Sequence, residues 1–302
     1  MNNDQVIQLF EIYLASVRRY SKHTVSSYLE DVKTLTNFLE REGFGSLLDV
    51  SPRTARFFVA TLHEDFSRAS IARKISTLRS LYHFLVSEDL INEHPFLDVE
   101  LPKKEKRLPK FIYPEEMEEL INSIDRSRPL GDRNYTIIET LYGTGLRASE
   151  LVGLDIGDLD FYEDFILVHG KGSKDRYVPI HNRLKEVLQK YLLTTRDALK
   201  NETEDKALFL NHHGERLSDR GLRYIVKDVI EKSSTMLSMS PHTFRHTFAT
   251  HLLNNGADLR SVQELLGHES ISSTQIYTGV SKEVLQKKYM AAHPRAKRKK
   301  ND

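Results

Sequence analysis

Apolar residues recur at helical spacing through the first hundred residues of the chain. Spacings of three and four residues place side chains on one face of a helix. The first two such stretches consist of Val6, Leu9, Phe10, Tyr13, Leu14 and Val17, and then of Val25, Leu29, Val32, Leu35 and Leu39. A third opens with the helix-start pair Ser51 and Pro52, and a fourth carries Ile71, Ile75, Leu78, Tyr82 and Leu85. The pattern predicts an all-helical bundle over residues 1–100.

Beyond residue 113 the pattern is mixed. The stretch EDFILVHGKGSKDRYVPIH predicts two strands around a Gly-Lys-Gly-Ser-Lys turn. Helices are predicted near 114–124 and 132–142, from about 147, over 182–199 and 218–234, from Ser240 to Gly256, and over 258–267. The second part of the chain is therefore expected to be helical with a small sheet.

The segment between the two parts is rich in charge. LPKKEKRLPK, residues 101–110, holds two prolines, five cations and one acid, which disfavours packing and is typical of an exposed linker. We therefore expect a helical domain over 1–100, a linker over 101–112, a second domain over 113–293 and a basic tail over 294–302.

Composition excludes several classes of protein. The 302 residues, 39% of them hydrophobic and 29% charged, suit a two-domain globular protein without a membrane span, because no run of about 18 apolar residues occurs. The chain has no cysteine, which excludes disulfides, thiol catalysis and cysteine-ligated zinc and fits a cytoplasmic location. A net charge of +1 leaves nucleic-acid binding to be argued from local charge.

The fourth helix is a candidate DNA-contacting surface. Between residues 66 and 87 it holds no acid, and hydroxyl side chains accompany its cations. Such a mixture suits the phosphate backbone of DNA, although a solvated helix face has the same composition. The candidate cations are Arg68, Arg73, Lys74 and Arg79.

A second candidate site lies on the helix that begins at Pro241. His242, Arg245 and His246 project from one face because they are three and four residues apart. The spacing of the two histidines also occurs in metal sites. We favour an anion, because an arginine would sit beside the metal and the acid of a zinc-protease helix is missing.

Further groups stand at turns. Arg147 follows a Gly-Thr-Gly turn near a helix start, where the potential favours an anion. His268 comes directly after the helix stop at Gly267, and Tyr277 lies nine residues further on. Lys171 lies in the glycine-rich hairpin turn, a place where lone lysines are usually just solvated.

Five separated segments carry a resemblance to a known family. TGLRASEL, HGKGSKDRYVPI, SPHTFRHTFATHLL, LLGHESISSTQIYT and the closing HPRA resemble the tyrosine recombinase (phage integrase) family, most closely bacterial Xer recombinases of the XerC type. The resemblance covers nearly the whole chain. It implies a mainly α fold with a small β-sheet, arranged as a two-domain C-shaped clamp of an N-terminal SAM-like core-binding domain and an α/β catalytic domain.

The resemblance also implies a set of catalytic residues. Tyr277 would be the nucleophile that forms a 3′-phosphotyrosyl bond with DNA, and the other matching positions are Arg147, Lys171, His242, Arg245 and His268. No cofactor or metal is implied. A phage or transposon integrase and a type IB topoisomerase share this chemistry, whereas a DNA-binding regulator with the same fold would lack at least one catalytic group.

Partners follow from the same resemblance. It implies a double-stranded DNA recombination site, a sister Xer recombinase in a cyclic heterotetramer and a DNA translocase of the FtsK type, with chromosome dimers resolved at cell division. No membrane insertion is expected. The segment SKEVLQKKYMAAHPRA is interpreted as a subunit contact, with packing on its own domain as the alternative. The choice between XerC and XerD stays open.

Overall fold

The protein divides into two units, Met1–Leu108 and Pro109–Asp302, and the division falls inside the expected linker. The structure, a computed structural model, describes residues 1–102, 111–170, 175–201, 206–233, 240–267 and 282–296. In those ranges no helix is both long and apolar enough to cross a membrane.

The first unit is helical, as the sequence predicts. Its helices are α1 (Asn3–Ile12), α2 (Lys22–Glu42), α3 (Pro52–Asp65) and α4 (Arg68–Ser87). Ser51 accepts a hydrogen bond from the Thr54 amide, which confirms it as the N-cap of α3. The five apolar residues predicted to face inward from α4, Ile71, Ile75, Leu78, Tyr82 and Leu85, are all fully buried.

The first predicted stripe is wrong at two positions. Val6, Phe10 and Leu14, spaced by four, are buried, but Leu9 is 43% exposed and Val17 68% exposed. The helix changes at Tyr13 into a π-helical turn that runs to Val17. A π turn holds more residues than an α turn, so it rotates Val17 away from the stripe.

The second unit combines helices with a small sheet. Its helices are α5 (Pro114–Asn122), α6 (Pro129–Thr144), α7 (Ala148–Gly153), α8 (Asn182–Lys190), α9 (Arg196–Leu199), α10 (Asp219–Lys232), α11 (Pro241–Asn254), α12 (Leu259–Leu266) and α13 (Lys282–Ala292). Strands β1 (Leu159–Asp160), β2 (Phe165–Val168) and β3 (Arg176–Pro179) form an antiparallel sheet in that order. The hairpin of β2 and β3 is as predicted, whereas the two-residue β1 is an addition.

Helix α6 lies at the centre of the second unit. Ile137, Ile138 and Leu141 on α6 are fully buried in a core that also contains Ile166 of the sheet and Phe244 of α11. A mainly helical fold with a small sheet is thus confirmed. This packing fixes the end of α6, from which the candidate site begins.

The last described segment folds onto its own unit. Tyr289 of α13 is fully buried and donates a 2.8 Å hydrogen bond to the carbonyl of Gly143. Arg295 beyond α13 forms an ion pair with the buried Glu139 of α6. Residues 282–296 therefore occupy the alternative position weighed from the sequence, and contact with a neighbouring subunit stays a prediction.

Candidate active site

A tight turn at the end of α6 positions Arg147. Gly145 ends the helix with φ +63°, and a Cβ atom there would lie 2.4 Å from the Phe248 ring, so the turn requires glycine. Arg147 follows as the N-cap of α7, and its backbone N–H donates to Glu150 Oε2 at 2.8 Å. Its side chain is nearly half exposed. The turn thus presents a guanidinium at the protein surface.

Arg245 reaches the same turn from α11. Its Nη1 donates a 2.9 Å hydrogen bond to the carbonyl of Gly145, and its Nη2 donates to the carbonyl of Leu266. The residue is only 5% exposed. Burial lowers the pKa of Arg245 to about 10, and the charge of Arg147 acts in the same direction. Arg245 therefore remains a cation at neutral pH.

A carboxylate that the sequence analysis missed joins the two arginines. Glu150 accepts from Arg147 Nη1 at 2.7 Å, and Arg245 Nη1 lies 4.0 Å from its Oε2. Arg176 forms a two-pronged ion pair with the same carboxylate. Burial alone would raise the pKa of Glu150, but the bonds from Arg176 and Arg147 outweigh it and lower this pKa to about 2. Three guanidinium groups therefore surround one anion, an excess of two positive charges.

The carboxyl end of α12 completes the described part of the site. Its last carbonyls each accept a hydrogen bond from a different arginine. The pairs are Leu265 with Arg176, Leu266 with Arg245, and Gly267 with Arg147. The helix C-terminus carries a partial negative charge, which favours these cations. His268 is the next residue in the sequence, so these hydrogen bonds hold in place the residue that precedes it.

His242 and His246 lie on α11 with Arg245. His242 is exposed in the first turn of the helix, and His246 is half-buried one turn later. Within the described ranges, no group of three acidic or histidine side chains is placed to hold a metal. Lys171, His268 and Tyr277 lie outside the described residues. Of the six predicted catalytic residues, the structure thus brings Arg147 and Arg245 together and places His242 on the helix of Arg245.

The candidate DNA-contacting cations of α4 require a correction. Lys74 is 3% exposed, and its ammonium donates to Asp31 and Thr34 of α2, so the prediction that it contacts phosphate is wrong. Its burial with a carboxylate removes the charge from the surface. Arg73 is exposed but paired with the same Asp31.

The other two cations of α4 differ in their surroundings. Arg79 is half-buried and donates to three backbone carbonyls, those of Phe96, Leu97 and Val99. This arrangement holds the chain that follows α4. Arg68 begins the helix and is exposed. DNA contact by Arg68, Arg73 and Arg79 stays a prediction.

Comparison with known proteins places the chain in a family. The Phage integrase family matches residues 110–283, and the Phage integrase N-terminal SAM-like domain matches residues 7–89. Tyrosine recombinase XerC of Bacillus pumilus (strain SAFR-032) is 48% identical over 299 residues, 98% of both chains. Tyrosine recombinase XerC of Bacillus subtilis (strain 168) is 46% identical over 301 residues, 99% of both.

A solved structure agrees with this result. The Tn1549 transposon integrase in complex with circular intermediate DNA has a TM-score of 0.70 and is 25% identical, with 88% of this chain and 92% of that chain covered. The sequence match and the shared fold agree along most of the chain. The chain belongs to the phage integrase family, the tyrosine recombinases.

Proposed function

We propose that the protein is a site-specific recombinase that cuts and rejoins DNA through a covalent 3′-phosphotyrosyl intermediate. The observation that carries the proposal is the joint attachment of Arg147 and Arg245 to Glu150 and to the end of α12. Two arginines held together in this way suit the two non-bridging oxygens of one phosphodiester, because a guanidinium stays charged and binds phosphate with two N–H groups. The relatives named tyrosine recombinase XerC support the same reaction.

The cleavage step would use Tyr277 as the nucleophile. Its phenol oxygen attacks the phosphorus and forms the phosphotyrosyl ester, while the bond to the 5′ oxygen breaks. A phenol has a pKa near ~10, so it needs a base, and His242 accepts its proton. Lys171 gives a proton to the leaving 5′ oxygen. The bond energy is kept in the ester, so the reverse reaction rejoins a strand without ATP.

The remaining groups would stabilise the transition state. Negative charge grows on the non-bridging oxygens as phosphorus becomes five-coordinate, and Arg147, Arg245 and His268 donate hydrogen bonds there. The Arg147 side chain is partly exposed and can meet DNA, whereas Arg245 is held from behind by Gly145 and the end of α12. A fixed arrangement of donors lowers the barrier because little reorganisation accompanies the reaction.

We base the proposed biological role on the similarity to the XerC relatives. We propose that the protein acts on a chromosomal recombination site with a sister recombinase and a DNA translocase, in the bacterial cytoplasm where this DNA lies. The N-terminal helical unit would bind the duplex together with the catalytic unit. The segment 282–296 would also serve as a contact between subunits, which requires it to leave the position on its own domain.

A nicked suicide substrate tests the reaction. The wild-type chain should form a covalent adduct with it that resists denaturant, and Tyr277→Phe should bind the same DNA but form none. An adduct with the Tyr277→Phe variant would overturn the assignment of the nucleophile. The adduct should also form in excess chelator, and its loss there would favour the metal interpretation of His242 and His246.

A further inference from the structure

Arg176 is a tightly held side chain beside the candidate site. It begins β3, opposite Val168 across the hairpin, and its side chain is 12% exposed. Nη1 donates to Glu150 Oε1 at 2.9 Å, and Nη2 donates to Glu150 Oε2 at 2.8 Å. Nε donates to the carbonyl of Leu265 at 2.9 Å. One guanidinium thus joins the sheet, α7 and the carboxyl end of α12.

The end of α12 also packs directly against this guanidinium. Gly267 has φ +64°, and a Cβ atom added there would lie 3.1 Å from Arg176 Nη1 and 3.2 Å from its Cδ. Such distances are tighter than ordinary contacts, so a side chain at position 267 would push Arg176 aside. The glycine therefore serves both the helix stop and the close approach of the arginine.

The contacts of Arg176 point inward. All three of its nitrogen atoms donate to groups of the protein, and the Glu150 carboxylate occupies the Nη1–Nη2 edge that could otherwise receive a phosphate. Arg147, in contrast, is nearly half exposed. Arg176 therefore acts through its neighbours and does not touch the reacting atoms.

The loss of Arg176 would disturb both arginines proposed to bind the phosphate. Glu150 would lose two charge-assisted hydrogen bonds, and Arg147 and Arg245 would be the cations left beside it. A buried carboxylate with fewer partners attracts the remaining ones more strongly. Arg147 and Arg245 would then be drawn toward Glu150 and away from the substrate.

We infer that Arg176 is a positioning residue of the active site, which holds Glu150 and the carboxyl end of α12 where Arg147 and Arg245 require them. The inference rests on the proposed function. Lysine cannot replace Arg176, because one ammonium cannot form the two-pronged ion pair with Glu150 and also reach Leu265. A lysine at position 176 keeps the positive charge but not the paired N–H donors, so we expect it not to restore the positions of Glu150 and α12.

The test compares Arg176→Lys and Arg176→Ala with a matched control. Arg216→Ala also removes an arginine that joins a carboxylate, that of Asp155, to backbone carbonyls, those of Leu154 and Val152, and none of these groups bonds to Arg147 or Arg245 in the described site. Single-turnover adduct formation at saturating DNA should slow by on the order of 100-fold in both Arg176 variants, because small displacements at a reacting centre cost this much. DNA affinity should change less than about 3-fold, since Arg176 makes no phosphate contact. Arg216→Ala should keep a rate near the wild-type value.

A double-mutant cycle separates positioning from general destabilisation. The rate loss caused by Arg176→Lys is measured once in the wild-type chain and once in the Arg147→Ala variant. If Arg176 acts through Arg147, this loss should be much smaller in the Arg147→Ala variant. Fully additive losses, a near-wild-type rate in Arg176→Lys, or an equal loss in Arg216→Ala would overturn the inference. If Arg176→Ala does not fold, Arg176→Lys carries the test. An inactive wild-type chain would instead overturn the proposed function and the inference with it.

Discussion

The hydroxyl of Tyr289 donates a 2.8 Å hydrogen bond to the carbonyl of Gly143, in the last turn of α6 before Arg147. Nearby, the His293 ring lies 3.2 Å from the carbonyl of Tyr142 through its Nε2. The C-terminal segment thus supports the backbone at the place where α6 ends and the chain leads to Arg147. We therefore expect its position on its own domain to affect catalysis as well as stability.

Removal of the Tyr289 hydroxyl should weaken this support. Tyr289→Phe leaves the buried carbonyl of Gly143 without this donor, and the free energy of unfolding should fall by about 1–3 kcal/mol. Denaturant titration measures the change. The control is Tyr162→Phe, at a tyrosine that is 92% exposed, which should stay within about 0.5 kcal/mol of the wild type. Equal stability of the two variants would show that the hydrogen bond does not matter.

A side chain at position 145 should damage both stability and catalysis. Gly145→Ala places a methyl group against the ring of Phe248 at a backbone conformation that alanine disfavours, at a cost of about 1–3 kcal/mol. Adduct formation should slow as well, because Arg147 is two residues further on. Gly153→Ala is the control, since a Cβ there meets nothing within 4 Å. A wild-type rate in Gly145→Ala would mean that the turn does not position Arg147.

The two arginines at the candidate site should each be essential for cleavage. Arg147→Ala and Arg245→Ala each remove charge-assisted contacts to the transition state, and the rate of adduct formation should fall by about 100- to 1,000-fold or more. Single-turnover rates at saturating DNA measure the effect. Arg223→Ala removes a surface arginine paired with Asp219 and should react normally. A near-normal rate in Arg147→Ala would place the active site elsewhere.

Acid should destabilise the catalytic unit through a buried histidine. His181 is fully buried, its Nδ1 accepts from the Leu184 amide at the start of α8, and its ring stacks on that of His293. Burial lowers the pKa of His181 from 6.5 to about 3, and the charges of Arg295 and Arg183 act in the same direction. Between these two values the unfolded chain binds a proton that the folded chain does not. The stability is therefore complete above about pH 6.5 and declines as the pH falls toward 3.

A variant that keeps the N-cap of α8 but cannot take up a proton tests whether His181 causes the acid sensitivity. His181→Asn retains an acceptor for the Leu184 amide but has no ionisable ring, so its free energy of unfolding should decline less steeply with acid. Denaturant titrations at several pH values between about 3 and 6.5 give the dependence of the free energy of unfolding on pH for the wild type and for the variant. Identical slopes would assign the acid sensitivity to other groups, among them His293, whose pKa burial also lowers well below its ordinary value.

Capping and stop residues in the sequence predicted where helices begin and end. Ser51 and Pro52 mark the start of α3, and Gly267 marks the end of α12, because caps and stops depend on residues that are neighbours in sequence. The sequence analysis missed Glu150. A signal was present, because Glu150 stands three residues after Arg147, the spacing of a capping box. Arg176 gave no such signal, since its partners lie 26 and 89 residues away along the chain.

Long-range pairing also explains the failure on α4. An acid-free helix predicts free cations only if no acid approaches from another element, and Asp31 lies 43 residues from Lys74 in sequence. Periodicity reports which face of a helix is apolar but not which polar groups meet across two helices. Arg73 is exposed on α4 and Lys74 is buried, so the helix pattern alone did not separate the two cations.

The buried Asp31 has a consequence for the response of DNA binding to ionic strength. Each phosphate that a lysine or arginine neutralises releases condensed counterions, and the slope of log K against log salt grows by about 0.9 per contact. Lys74 is already neutralised inside the bundle by Asp31, which also accepts from Arg73 and Thr77. A count of all the cations along α4 would therefore overstate how strongly added salt should weaken the DNA contact predicted for this helix.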